Sequence, residues 1–195
     1  MLEAKPSISL SVFIFIVNLA LAYVFFIYGF KNPDGSGCFA REDNPKIAVP
    51  ELDKTIELEQ DSWVDVKGQF ELWFKLGFVL CIFYVSYSIM VFFVYIMESE
   101  NLKYTTNVMF YSTATISFLW QCLGIFYRGT NAGRVCSGDF ESDTHVGRNR
   151  PYAWHSGLFI AIYLVATSLL NIFLFSCFFV SLILRQFCYS ETKGK

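Results

Sequence analysis

Four long windows of the sequence contain no Asp, Glu, Lys or Arg, and they constrain the fold more than any other feature. A charged side chain costs about 3 kcal/mol at the centre of a bilayer, so membrane spans avoid such residues. A helix needs about 20 residues to cross the hydrocarbon, and every window reaches that length. The charge-free windows are residues 6–30, 76–97, 104–127 and 151–184.

Composition supports the same class of protein. The 195 residues are 54% hydrophobic and only 16% charged, whereas a soluble domain is about 25% charged. The formal net charge is −2, and no run of like charges resembles a nucleic-acid-binding arm. We therefore predict an all-α membrane protein, a bundle of four transmembrane helices, with no nucleic-acid partner and no cofactor.

Some spans extend beyond these windows. Glu71 and Lys75 lie four residues apart, a spacing at which they pair on one helix face, so the second span is predicted to begin before its window. The first run continues through Phe30, past a small-residue site at 20–22, which favours a retained anchor over a cleaved signal peptide. We predict one tetraspan domain over 1–195, with spans at about 7–30, 69–98, 104–127 and 152–187.

The first and third connections, residues 31–68 and 128–151, then lie on one side of the membrane, because two crossings separate them. Cys38 and Cys136 are the only cysteines in these loops. A disulfide between them is the leading prediction, since a metal site would need further ligands and the loops provide only His145 and no Cys-x-x-Cys spacing. Two free thiols, or a metal or catalytic role, stay open as alternatives.

The predicted orientation follows from that disulfide. Disulfides persist in oxidising compartments, so the bridged loops are predicted to be extracytoplasmic and both termini cytosolic. The count of Lys and Arg opposes this orientation, because nine lie in the two loops and five on the other side, whereas cytoplasmic segments usually hold the excess. The first loop is long and therefore a weak orientation signal, so we give the cysteines more weight.

The first connection, residues 31–68, which we also call loop 1, contains the pattern of a small β-structure. Residues 55–59 alternate apolar and polar side chains with a period of two, and Trp63 and Val66 follow a short polar break. This pattern predicts a short β-hairpin within an extracytoplasmic cap. Trp63, Trp73 and Trp154 lie at span ends or in loop 1, where tryptophans form interfacial belts.

We expect three amide side chains, Asn18, Gln121 and Asn171, to make polar contacts inside the spans. Such groups usually hydrogen-bond across helix interfaces, each contributing about 0.6 to 2 kcal/mol. No span contains a central charged residue, which disfavours a proton relay or a secondary transporter. Cys188 lies just past the fourth span and is a candidate for palmitoylation, with an unmodified thiol as the alternative.

Aromatic side chains are too numerous to pack between four helices. The chain contains 22 Phe and is 19% aromatic, so many rings must face lipid or another protein. Lipid contact and homo-oligomerisation both stay open. Three cysteines fall inside spans and are predicted to pack there as small apolar residues: Cys81, Cys122 and Cys177.

The segment 83–129 resembles the central half of the MARVEL-domain tetraspans, in particular the synaptophysin and synaptogyrin group. The shared features are an aromatic second span, a tight Glu/Asn/Lys turn at 98–103, and a third span that ends with Phe-Leu-Trp at 118–120. Asn171, followed by Ile-Phe-Leu-Phe, resembles the Asn-containing fourth span of that group.

This resemblance implies a non-enzymatic protein that organises or shapes a vesicle or a specialised membrane domain. It would do so by packing laterally with itself, with sterol or with other membrane proteins, in vesicles, endomembranes or the plasma membrane. Two other functions stay open: an accessory subunit of a larger membrane complex such as a pump or respiratory assembly, and an oligomeric channel. No catalytic or metal-binding residues are assigned.

Overall fold

Four long helices dominate the computed structural model, which describes residues 8–31, 37–41, 48–49, 63–139 and 154–193. All four are long and apolar enough to cross a membrane. Because hydrocarbon offers no hydrogen-bond partners, a spanning backbone must bond to itself, as an α-helix does. The all-α membrane fold with four spanning helices, predicted from the charge-free windows, is confirmed.

The helix bounds differ from the predicted spans by up to six residues. A short helix, α4, also lies inside the third connection, where no helix was predicted. The bounds are α1 Ile8–Phe26, continued by a π-helical turn at Ile27–Lys31, then α2 Val66–Met97, α3 Glu100–Gly129, α4 Asn131–Ser137 and α5 Trp154–Lys193. Helices α2 and α3 begin earlier, with Lys67 and Glu100 in their first turns, and α5 ends later than predicted.

The start of α2 is fixed by local polar contacts. Asp65 is the N-cap, and its carboxylate accepts a hydrogen bond from the N–H of Gly68 at 2.8 Å, which satisfies one of the free donors of the first turn. One turn further on, Lys75 Nζ lies 3.4 Å from Glu71 Oε2. The ion pair predicted from the four-residue spacing is therefore confirmed.

A turn of two residues, Glu98 and Ser99, connects α2 to α3. Glu98 has a left-handed backbone, with φ 47° and ψ 27°, and its N–H donates to the carbonyl of Val94 at 3.0 Å. A left-handed residue commonly ends a helix, usually glycine. A residue other than glycine, such as Glu98, adopts the left-handed conformation at a cost of about 1 kcal/mol. The short turn brings the two helices side by side in antiparallel directions.

A three-stranded antiparallel sheet lies in the first connection. Its strands are β1 Phe39–Arg41, β2 Ala48–Val49 and β3 Trp63–Asp65, in the order β2-β1-β3. β-Structure at Trp63, predicted from the sequence, is confirmed, and the strand that pairs with it is β1. The prediction was wrong for Val66, which is the first residue of α2. Residues 55–59, the other predicted strand, lie outside the described residues.

The chain forms two compact units, residues 1–158 and 159–195. The second unit is the remainder of α5, where the hydroxyl of Thr167 donates to the carbonyl of Tyr163 at 2.8 Å within the helix. The first unit contains the other helices and the sheet. Its largest fully buried side chains include Phe25, Val66, Phe70, Trp73, Phe74 and Val135.

Candidate functional site at the capped end of the helices

Cys38 and Cys136 form a disulfide with a Cα–Cα distance of 6.1 Å. Both residues are completely buried. The bond joins positions 98 residues apart, so it links the first connection to the third across α2 and α3. The pairing predicted from the loop positions is confirmed, and the alternative of two free thiols is excluded.

Cys38 is also tied to α2 through the backbone. Its carbonyl accepts a hydrogen bond from the N–H of Val66, the first residue of α2, at 3.1 Å. Ala40 in β1 is fully buried, so the strand packs tightly at this point. The sheet, the disulfide and the start of α2 therefore form one continuous cap.

Helix α4 carries Cys136 and positions it for the disulfide with Cys38. Thr130 caps the helix, with its hydroxyl oxygen accepting from the N–H of Gly133 at 3.1 Å, and Gly138 ends it with a left-handed φ of 88°. The one apolar side of this short helix is buried: Ala132, Val135 and Cys136. Sequence analysis missed this helix, although the Thr and Gly caps are recognisable signals at its two ends.

Arg128, near the end of α3, donates two hydrogen bonds to the carboxylate of Asp139, which follows α4; we call this pair the arginine fork. Arg128 donates from Nη1 to Asp139 Oδ2 at 2.9 Å and from Nη2 to Oδ1 at 2.6 Å. Its Nε donates to the carbonyl of Gly157 in the first turn of α5 at 3.2 Å. Arg134 adds a third contact to the same carboxylate at 3.4 Å. One side chain therefore connects three segments of the cap.

The ionisation of Asp139 reflects these contacts. The hydrogen bonds from Arg128, and secondarily the charges of Arg128 and Arg134, hold the pKa of the Asp139 carboxyl below its usual range, although partial burial acts in the opposite direction. Arg128 and Arg134 share the one carboxylate of Asp139, so these three side chains together carry a net positive charge at neutral pH.

Trp73 of α2 and Trp120 of α3 form a reciprocal pair. Their rings stack at a centroid distance of 4.3 Å and an angle of 14°. Each indole N–H donates to the other residue's backbone carbonyl, at 3.0 Å from Trp73 and 2.8 Å from Trp120. Phe25 of α1 places its ring edge-on against both indoles. We call these residues the tryptophan clamp.

Two glycines make the clamp possible. A Cβ atom on Gly77 would collide with the ring of Trp120, and one on Gly124 would collide with the ring of Trp73. Each glycine lies four residues after a tryptophan, so residues 73–77 and 120–124 both read Trp-x-x-Leu-Gly. This repeated pattern could have revealed the clamp from the sequence, but it was missed.

The clamp corrects one sequence prediction. Trp73 was assigned to an interfacial belt, but it is 0% exposed and faces α1 and α3 instead of lipid headgroups. Trp63 is half-buried, and its indole nitrogen is buried without a hydrogen-bond partner among the described residues. The side chain of Trp154 lies outside the described residues.

The amide residues predicted to make polar contacts inside the spans lie in different surroundings. Asn18 is half-buried and donates to the carbonyl of Ile14 in its own helix at 2.9 Å. Gln121 is half-buried and Asn171 is exposed. Their predicted contacts between helices stay predictions. Sequence analysis overlooked Asn107, a fourth amide within the third window, which is exposed on α3.

The intramembrane cysteines differ from one another. Cys81 is buried, as a packing residue would be, whereas Cys122 is exposed on α3, so the packing role predicted for Cys122 is wrong. The side chains of Cys177 and Cys188 lie outside the described residues, as does His145. Within the described part of the chain no group of three or more His, Cys, Asp or Glu side chains could hold a metal ion.

Comparisons of the chain with models of protein families, with curated proteins and with solved structures found no match. The class of protein is therefore defined by the structure itself. Four apolar helices of spanning length and a cap closed by the Cys38–Cys136 disulfide define a multi-pass membrane protein.

Proposed function

We propose that the protein is a non-enzymatic tetraspan that organises or shapes a membrane by packing laterally with copies of itself or with other membrane proteins, as the MARVEL-like pattern implies. One observation carries this proposal. Only 11–22% of the residues in the most apolar window of each span are buried within the chain. The other residues of these windows are half-buried or exposed in the described part of the chain, and their exposed sides remain for contacts with lipid or with other proteins.

The nature of the outward surface supports lateral packing. Large aromatic side chains are exposed on every long helix, including Phe13, Phe92, Tyr111 and Phe173. Aromatic rings bury about 150–250 Å² each when covered, so they contribute strongly to protein interfaces. In the cap, in contrast, two charged side chains pair with one another, because Arg128 donates two hydrogen bonds to Asp139.

A rigid cap is consistent with a structural function. The disulfide, the arginine fork and the tryptophan clamp hold the ends of α1, α2 and α3 in fixed relative positions. Fixed helices present the same outward faces in every copy, as a repeating lateral assembly requires. The proposal further places the disulfide-linked cap in an oxidising compartment and both termini in the cytosol, because disulfides persist in oxidising surroundings.

Direct imaging of the labelled protein in its native membrane, combined with gentle chemical crosslinking, tests the proposed function. The expected result is clusters or regular oligomers of the chain. Dispersed monomers without partners would contradict the proposal. Recovery of one unrelated protein in fixed stoichiometry would favour the second candidate, an accessory subunit of a larger complex, to which outward aromatic faces are equally suited.

Protection of the two loops tests the proposed orientation. A protease added outside intact cells is expected to cleave within residues 31–68, while a carboxyl-terminal tag stays inaccessible until the membrane is opened. A tag accessible in intact cells would reverse the orientation.

A further inference from the structure

We propose that the Cys38 sulfur carries a transient mixed disulfide while the chain is being made, and that docking of α4 then brings in the Cys136 thiolate that replaces it with the native bond. The partner in the mixed disulfide is an oxidant that itself contains a disulfide, either a protein oxidoreductase or oxidised glutathione. This inference rests on the orientation given under the proposed function, in which the cap lies in an oxidising compartment.

The order of the chain leaves Cys38 without its partner for several seconds. Cys136 follows Cys38 by 98 residues, and both α2 and α3 lie between them. At a synthesis rate of about 5–20 residues per second, these residues take roughly 5–20 s. Cys38 and Cys136 are the only cysteines in the two connections. Throughout this interval Cys38 is therefore the one thiol of the chain in the oxidising compartment.

Helix α4 comes last along the chain among the elements in extensive contact with β1, which begins directly after Cys38. The sheet and the start of α2 are made earlier, and the N–H of Val66 binds the Cys38 carbonyl at 3.1 Å. The buried side of α4 contains Cys136 itself, together with Ala132 and Val135. Until this side docks, the Cys38 sulfur lacks its final cover and is open to reaction.

Burial excludes oxidation after the cap has packed. Cys38 and Cys136 are both 0% exposed in the folded protein, and thiol–disulfide exchange requires access of one sulfur to another. A pair of thiols enclosed in the packed cap would stay reduced. The oxidant must therefore react before α4 docks, when Cys38 is the cysteine already held in position.

The exchange balances over two steps. The Cys38 thiolate attacks one sulfur of the oxidant's disulfide, which forms the mixed disulfide and releases the oxidant's other sulfur as a thiolate. The Cys136 thiolate then attacks the Cys38 sulfur, which forms the native bond and releases the remaining sulfur of the oxidant as a thiolate. The two thiols of the chain lose two protons and two electrons, and the oxidant's disulfide is reduced to two thiols.

Formation of α4 couples its docking to the second step. An isolated helix of seven residues does not persist in water, so α4 forms together with its packing. The Thr130 hydroxyl oxygen accepts from the N–H of Gly133 at one end, and Gly138 has a left-handed φ of 88° at the other. In the docked helix the Cα atoms of Cys38 and Cys136 are 6.1 Å apart, which is within the usual range for a disulfide. The docked helix therefore holds Cys136 where it can attack.

Pulse–chase labelling of the full chain in cells, stopped with acid and followed by alkylation of free thiols, tests the mixed disulfide. Mass spectrometry is expected to find Cys38 joined to an oxidant at early times and to Cys136 later. The mass of the conjugate distinguishes a protein from glutathione. Cys136→Ser is expected to keep the conjugate, because the resolving thiol is missing. A Cys38 thiol that stays free until the native bond appears, or a conjugate on Cys136 alone, would overturn the inference.

Variants of α4 test the second step separately. Gly138→Ala puts a side chain on a left-handed residue and is expected to lengthen the lifetime of the mixed disulfide about fivefold. Thr130→Ala removes the cap at the other end of α4 and is expected to act in the same direction. Gly129→Ala is the matched control, because nothing lies within 4 Å of its added Cβ. Lifetimes that are the same in all three variants would show that α4 does not position Cys136.

Failure of this inference can be distinguished from failure of the proposed function, because the mixed disulfide is detected in newly made chains and lateral packing in the finished protein. Clusters of the chain without any Cys38 conjugate at early times would contradict this inference alone. A Cys38 conjugate in a protein that stays dispersed as monomers would contradict lateral packing alone. A carboxyl-terminal tag accessible in intact cells would contradict the orientation and this inference together.

Discussion

Trp73 and Trp120 each donate their indole N–H to the backbone carbonyl of the other, at 3.0 and 2.8 Å, while their rings stack 4.3 Å apart. A buried indole needs a hydrogen-bond partner, and a helix carbonyl can accept a second bond. The reciprocal arrangement satisfies both donors without any polar group from solvent. It therefore joins α2 to α3 by polar bonds and by ring stacking at the same place.

Replacing either glycine of the clamp should destabilise the protein. Gly77→Ala and Gly124→Ala put a methyl group into the indole that covers the glycine, an overpacking cost of about 1–3 kcal/mol, which exceeds the helical gain of up to about 1 kcal/mol from Ala. Thermal unfolding in detergent, followed by circular dichroism, should show a lower melting temperature for both variants. Gly129→Ala is the matched control, because nothing lies within 4 Å of its added Cβ. A melting temperature for Gly124→Ala as high as that of the control would contradict the clamp.

The two tryptophans should behave as a coupled pair. Trp73→Phe and Trp120→Phe each remove one hydrogen bond and part of the stack, at about 1–3 kcal/mol per variant. The double variant should lose less than the two single losses combined, since each single change already disrupts the shared stack. A double-mutant cycle on chemical unfolding measures this coupling. Strict additivity would show that the two side chains act independently.

The disulfide should stabilise the protein more than any other single contact of the cap. Cys38→Ser, Cys136→Ser and the double variant should each lower the free energy of unfolding by about 4 kcal/mol, because the bond closes a loop of nearly 100 residues. The double variant should be no worse than either single one, since both singles already lack the bond. Cys122→Ser, at an exposed thiol, is the control and should be neutral. Wild-type stability that is unchanged by reduction would count against the disulfide.

Acid should weaken the arginine fork. The pKa of Asp139 is lowered in the folded protein from a reference of 3.8, so the carboxylate contributes its full stability above pH 3.8 and loses it as the pH falls through the depressed folded value. Asp139→Asn should cost about 1 kcal/mol at pH 7, and its difference from the wild type should shrink below pH 3.8. Melting temperatures of both proteins across pH 2–7 check this.

The control is Glu100→Gln, which removes an exposed ion pair and should leave the dependence of the melting temperature on pH unchanged. A difference between Asp139→Asn and the wild type that stays constant at all pH values would refute the assigned role of Asp139.

The fold class was predictable because the membrane imposes a strong, local requirement on sequence. Charges avoid hydrocarbon and spanning segments must be helical, so four uncharged windows were enough to predict four helices. The ion pair of Glu71 with Lys75 was also predictable, because it depends only on a four-residue spacing within one helix.

Other features depend on contacts between distant segments, and there prediction was weaker. The belt assignment of Trp73 failed because position along a span does not reveal which way a side chain faces. Helix α4 was missed because seven residues give too short a pattern. Cys122 was assigned to packing, but it lies on the side of α3 that no neighbour covers in the described structure.

The sequence by itself determined the number of spans, the sides on which the loops lie relative to one another, and the two cysteines able to meet, because hydrophobic length and the count of crossings are properties of the chain alone. Only the tertiary structure decided that Trp73 and Trp120 bind each other over Gly77 and Gly124. It also decided that Arg128 joins the end of α3 to the carboxylate of Asp139 and to the backbone carbonyl of Gly157. These relationships depend on the rotation and depth of each helix, which packing sets and hydropathy does not.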